Sequence, residues 1–128
     1  MIHYISIGPY CAAAGILEDC QRRHQAFPFD YIFSSLPMIR HILTDRCDRL
    51  LGLMDKHEKI VFVYFNPYID DHRDLFNFAD SFRDCLTIRI VGISDNHSKK
   101  NILQHGTNCK VYQHYDRNEM FRDIEQSF

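Results

Sequence analysis

The sequence has no basic excess, no long apolar run and no closely spaced pair of cysteines. Lys and Arg number 15 against 17 Asp and Glu, a formal net charge of -2. Nothing in that balance points to nucleic acid or to an anionic membrane surface. No stretch approaches the roughly 18 apolar residues that cross a bilayer. The opening Met1-Ile2-His3-Tyr4-Ile5 lacks the basic leader and long apolar core of a secretory signal. These absences lead to the expectation of a soluble, cytoplasmic protein with no nucleic-acid partner and no membrane partner.

The five cysteines, at 11, 20, 47, 85 and 109, are odd in number, and none forms a Cys-x-x-Cys pair. A disulfide framework and a zinc site are therefore not expected; most of the thiols read as small core residues. No cofactor or metal is expected. Asp70, Asp71 and Asp74 read as caps and first-turn acids of a helix rather than as metal ligands. The turn after the first strand has no Gly-x-Gly-x-x-Gly and no P-loop Gly-Lys-Ser, which counts against a nucleotide- or sugar-binding domain. There is no internal repeat, low-complexity segment or second domain.

What is present is globular. The chain has 128 residues, 45% hydrophobic and 25% charged, which suits one domain spanning 1–128 with a real core. Ile2–Ile7 is apolar, rich in β-branched residues and closed by Gly8-Pro9: a strand and a sharp turn. Residues 11–23 read as a helix. Residues 25–35 form a connector too aromatic to be solvated, with Phe27, Phe29, Tyr31 and Phe33. A second helix runs from Ser34 or Ser35 to about Met54. Lys59–Phe65 is apolar without alternation, the pattern of a strand buried on both faces.

Residues 70–84 read as a helix with Leu75, Phe76, Ala79 and Phe82 on one face, and 86–93 as another strand. A short helical turn over 99–104, a weaker strand over 109–114 and a closing helix over 117–126 complete the chain. The alternation predicts an α/β fold: a single-domain, three-layer sandwich with a mainly parallel sheet of about four strands.

Ligands of open parallel sheets bind beyond the carboxyl ends of the strands. The residues that follow the predicted strands are Gly8 to Cys11, then Asn66 to His72, then Ser94 to His97, then His114 to Asp116. A thiol, imidazoles and carboxylates on one rim are the parts of a nucleophile, base and orienter. Cys11 would stand in the first turn of a helix, where the dipole and free amides favour a thiolate and offer an oxyanion hole. His97 and His72 are the candidate bases, with Asp95 or Asp71 as orienters; His114 with Asp116 is a further pair. Asp30, enclosed by aromatics, needs hydrogen-bond partners: it either accepts backbone amides within its loop or belongs to the site.

Two segments together carry a resemblance: Ile5-Ser6-Ile7-Gly8-Pro9-Tyr10-Cys11 and Phe27-Pro28-Phe29-Asp30-Tyr31-Ile32-Phe33-Ser34-Ser35. A strand ending in Ser-x-Gly-x-x-Cys, followed by a Pro-Phe-Asp-aromatic segment, resembles the domain-of-unknown-function family described as putative papain-like cysteine peptidases. The resemblance implies Cys11 as nucleophile and Asp30 as the aspartate of the Pro-Phe-Asp motif. The chain also lacks a histidine-bearing stretch that typically precedes the second strong strand in that family. The leading expectation is a cysteine-dependent hydrolase in which Cys11 attacks a peptide or other acyl compound and His97, ahead of His72, serves as base. The alternative is a shortened, catalytically inactive member that acts as a binding module.

Overall fold

The computed structural model of the chain describes residues 2–7, 12–21, 58–65, 71–95 and 98–128. The expected helix ending near Met54 and the aromatic connector lie outside them. The described elements are β1 (Ile2–Ile7), α1 (Ala12–Asp19), β2 (Lys59–Phe65), α2 (Arg73–Asp80), β3 (Ile88–Ser94), β4 (Asn101–His105), β5 (Cys109–Gln113) and α3 (Arg117–Gln126). The strands form one mostly parallel five-stranded sheet in the order β1-β2-β3-β5-β4. Only the β4–β5 pair is antiparallel. Among the described residues no helix is long and apolar enough to cross a membrane.

The apolar run of β2 explains its place. Ile60, Val61, Phe62 and Val63 are all buried, so successive side chains enter opposite faces and both faces need cover. On one face Ile5, Ile7, Ile60, Phe62, Ile88, Ile90 and Val111 pack with Leu75, Phe78 and Ala79 of α2. The Phe62 ring meets Phe78 edge-on at 5.5 Å. On the other face Tyr4, Val61, Val63, Val91, Ile93 and Tyr112 pack with Leu17 of α1 and with Met120, Phe121 and Ile124 of α3. There Tyr4 meets Phe121 edge-on, also at 5.5 Å. β1, β2 and β3 are parallel neighbours, as their sequences predict.

The structure corrects the sequence reading in three places. The expected helical turn over 99–104 overlaps the strand β4, so the described residues contribute five strands to the sheet where about four were expected. β4 and β5 form a hairpin around Gly106-Thr107-Asn108, with Gly106 at φ +62°, where a side chain would be strained. The Gly-Thr-Asn connector is a turn signal that a helical reading of 99–104 passes over. The helix expected over 70–84 is confined to Arg73–Asp80, and its inward face carries Phe78; Phe76 is half-buried and stacks on His105 at 4.5 Å. The strand expected from Leu86 starts at Ile88, and Leu86 is exposed.

Local chemistry sets the helix ends. Asp116 caps α3, its carboxylate accepting from the Glu119 amide at 3.1 Å. Just past α1, Gln21 takes a left-handed backbone at φ 57°. The far end of α2 is held from outside: buried Asn108, in the hairpin loop, donates Nδ2–H to the Ala79 carbonyl at 3.0 Å. His105 Nε2 stands 2.9 Å from Asp80 Oδ1. Asn108 directly precedes β5, so the carboxyl end of α2 sits at the amino ends of the strands and its amino end at their carboxyl rim. Asn108→Ala removes this bond and leaves the Ala79 carbonyl its bond from the Phe82 amide at 3.0 Å. It should lower unfolding free energy by about 0.5–1.5 kcal/mol, read as a lower urea midpoint; an unchanged midpoint would show that the clamp is dispensable.

Candidate active site

The carboxyl rim is described at β2, β3 and β5 and at the start of α2 and α3. Of the residues singled out in the sequence, Cys11, Asp30 and His97 lie outside the described residues. His72 lies within them. It takes the N-cap position of α2 (φ -103°, ψ 12°), and its carbonyl accepts from the Phe76 amide at 2.9 Å. The residue is half-buried, with Nε2 shielded from solvent and its ring 6.1 Å from that of Phe76. An imidazole is thus held at the rim, at the start of α2.

The carboxylates considered as orienters are committed to arginines. Asp71 receives Arg73 through its backbone amide at 3.0 Å and through its guanidinium at 2.6–3.1 Å. These bonds pull the exposed Asp71 carboxyl down to about 2. Asp95 accepts from Arg117 at 2.6 Å, and the Arg117 guanidinium lies 5.8 Å from the centre of the Phe65 ring. His114 is exposed, with a left-handed backbone at φ 57°, and Asp116 serves as the α3 cap. A cleft of about 450 Å³ opens beside these residues, lined by Asp95, His114, Tyr115, Asp116 and Arg117.

A second cleft, of about 410 Å³, is lined by Ser98, Lys99, Lys100, Asn101 and Gln113. Of these, Gln113 is only 6% exposed and accepts from Asn101 Nδ2 at 3.0 Å. Lys100 pairs with Glu119 and lies 4.5 Å from the centre of the Tyr115 ring. Arg117, Gln113 and Asn101 were not singled out in the sequence. Gln113 carries the only signal that was there to read, a polar residue at an inward position closing an apolar strand. Among the described residues no group of His, Cys, Asp and Glu side chains is arranged to hold a metal ion.

Comparison with known proteins places the first part of the chain. Residues 2–57 match the family described as putative papain-like cysteine peptidase. The match covers β1, α1 and the Pro-Phe-Asp segment on which the resemblance rests, and it stops before β2. No curated protein and no solved structure matches the chain.

The described thiols supply the reference against which Cys11 is to be judged. Cys20 and Cys85 are half-buried, and Cys109 is buried. Burial, with a smaller contribution from nearby Asp80, pushes the Cys109 thiol up to about 12. A thiol protonated in the folded chain and ionised in the unfolded one weakens folding as pH rises above the ordinary cysteine value toward 12. Iodoacetamide at pH 8 should leave Cys109 unlabelled in the folded protein and label it on unfolding, and Cys109→Ala should reduce the loss of stability above pH 9. Fast labelling of Cys109 in the folded protein would contradict its burial.

Proposed function

We propose that the chain is a cysteine-dependent hydrolase of the papain-like kind, acting on a peptide or other acyl compound with Cys11 as nucleophile. The observation that carries this reading is the switch from β1 to α1. β1 ends at Ile7, opposite Tyr64 of β2, and α1 begins at Ala12, the residue after Cys11. First-turn amides and the helix dipole favour a thiolate there and supply donors for the oxyanion of a tetrahedral intermediate. The family description supports the same reaction class. The cover on both sheet faces supports a three-layer sandwich as the scaffold.

Strand order favours His72 over His97 as the base. β2 adjoins β1, so the segment carrying His72 departs from the neighbouring strand. The segment carrying His97 follows β3, about 10 Å from β1 at the usual strand spacing. In the proposed cycle an imidazole takes the Cys11 proton, and the thiolate attacks the carbonyl. The imidazolium then protonates the leaving group, and water attacks the acyl-thioester to release the acid and restore the thiol. Asp30 takes the role of orienter.

Limiting iodoacetamide at pH 6–7 with peptide mapping tests the proposal. Cys11 should label before Cys20 and Cys85, and His72→Ala should slow its labelling by roughly tenfold or more. A slowing confined to His97→Ala would transfer the base to that residue. Labelling of Cys11 no faster than of Cys85 would leave the inactive binding module as the reading.

A further inference from the structure

β4 stands last in the sheet order, and among the described residues it pairs with β5 alone. The ladder fixes which of its backbone groups are left over. Asn108 and His114 flank β5. The Asn108 carbonyl accepts from the Ile90 amide at 2.7 Å and the His114 amide donates to the Ser94 carbonyl at 3.0 Å, so both turn toward β3. Backbone groups alternate along a strand, so Cys109, Val111 and Gln113 turn toward β4. Their register partners His105, Leu103 and Asn101 turn back toward β5. The N–H and C=O groups of Ile102 and Gln104 therefore point out of the sheet edge.

An open edge is a template for another strand, and proteins blunt such edges with charge, proline or a bulge. Asn101-Ile102-Leu103-Gln104-His105 has no lysine, arginine, carboxylate or proline, and its register with β5 runs without a bulge. Ile102 and Leu103 are half-buried, one on each face of the sheet. The charges lie at the two ends of the strand and differ in sign. Lys99 and Lys100 precede it. Lys100 pairs with Glu119, whereas Lys99 is exposed and has no ion-pair partner among the described residues. At the other end His105 Nε2 stands 2.9 Å from Asp80 Oδ1. Arg83 shares that carboxylate, and Asp84 beside it leaves the corner net negative while His105 is neutral. An antiparallel copy of the strand brings the basic end against the acidic one.

We propose that β4 pairs antiparallel with β4 of a second copy of this chain, Leu103 facing the partner's Leu103 across the two-fold axis. In that register Ile102 faces the partner's Gln104, and Gln104 the partner's Ile102. Both are hydrogen-bonded pairs that satisfy the outward groups, and the central leucines form a close non-hydrogen-bonded pair. Asn101 faces the partner's His105, so the Lys99 ammonium, two residues on, falls beside the partner's Asp80. A parallel copy would set lysine against lysine. The pairing joins two five-stranded sheets into one, with both α2 helices on the same side and the two carboxyl rims facing opposite ways. Each copy keeps its own rim open, and the pairing does not depend on the Cys11 reading. One short strand pair buries little area, so the dimer is weak, with a dissociation constant of about 10–500 μM.

Sedimentation equilibrium of the full chain, in reductant so that thiols cannot link the copies, should show a monomer–dimer equilibrium that weakens as salt is raised. Hydrogen exchange followed by NMR carries the signature of the edge. The Ile102 and Gln104 amides should gain protection with protein concentration, whereas that of Leu103 is protected throughout. Gln104→Pro deletes an outward donor, a change that edge strands tolerate, and should raise the dissociation constant about tenfold or more at near-wild-type Tm. Lys99→Glu sets carboxylate beside carboxylate, and it should weaken the dimer about threefold or more and make added salt strengthen it. This exposed change carries the test if the proline variant does not fold. A monomer at every concentration, a dimer that neither variant weakens, or concentration-dependent protection away from Ile102 and Gln104 would overturn the inference.

Discussion

The pairing of β2 with a parallel strand on each side governs the rest of the molecule. Parallel neighbours cannot be joined by tight turns, so the chain must leave the sheet and return to its amino edge between strands. Two-sided burial of Ile60 to Val63 leaves no solvated face for those returns to avoid. They become amphipathic helices that cover the sheet, α2 on one side and α1 on the other, joined there by α3. The same polarity gathers loop segments at the carboxyl ends of the strands, where polar side chains can meet without disturbing the core.

That division is visible in how polar groups are handled. At the amino end and along the helix flanks they are paired for structure. Arg89 donates to the carbonyls of Leu86, Ile88 and Ser127 and lies 4.7 Å from the centre of the Phe128 ring, holding the end of the chain to the sheet. Tyr112 donates to Asp123 at 2.6 Å, and Tyr4 to Glu125, along the α3 face. At the carboxyl end the pattern is less closed: the buried Ser94 hydroxyl has no partner among the described residues, and two clefts open beside the strand ends.

The parts of the fold legible in the sequence are those whose burial is symmetrical or strongly one-sided. Lys59–Phe65 and Ile2–Ile7 read as strands because nearly every residue is apolar, and α3 reads as a helix because Met120, Phe121 and Ile124 recur at helical spacing. β4 was not legible. Its Asn-Ile-Leu-Gln-His is half-exposed at the sheet edge, so its strand state comes from pairing with β5 rather than from its own pattern. On α2 the inward set read from the sequence holds at Leu75, Ala79 and Phe82, with Phe76 half-buried against the same cluster; Phe78 joins it through its contact with Phe62, which no local pattern shows. Of the candidate site, sequence and family comparison reach Cys11 and Asp30, and the described residues reach His72. Strand order, which sets how far the strand before each histidine lies from β1, follows from long-range pairing and is not written in any local segment.

The Asn108 clamp has a mechanical consequence for the rim. A helix packed on a sheet through side chains alone can slide along its axis by fractions of a turn. α2 is pinned at its far end by a bond to the Ala79 carbonyl, and His72 stands seven residues away at the other end. At 1.5 Å of rise per residue the helix is a strut about 10 Å long between the hairpin loop and the imidazole. The height of His72 above the strand ends is therefore gauged from the opposite edge of the sheet, by the loop that carries Asn108.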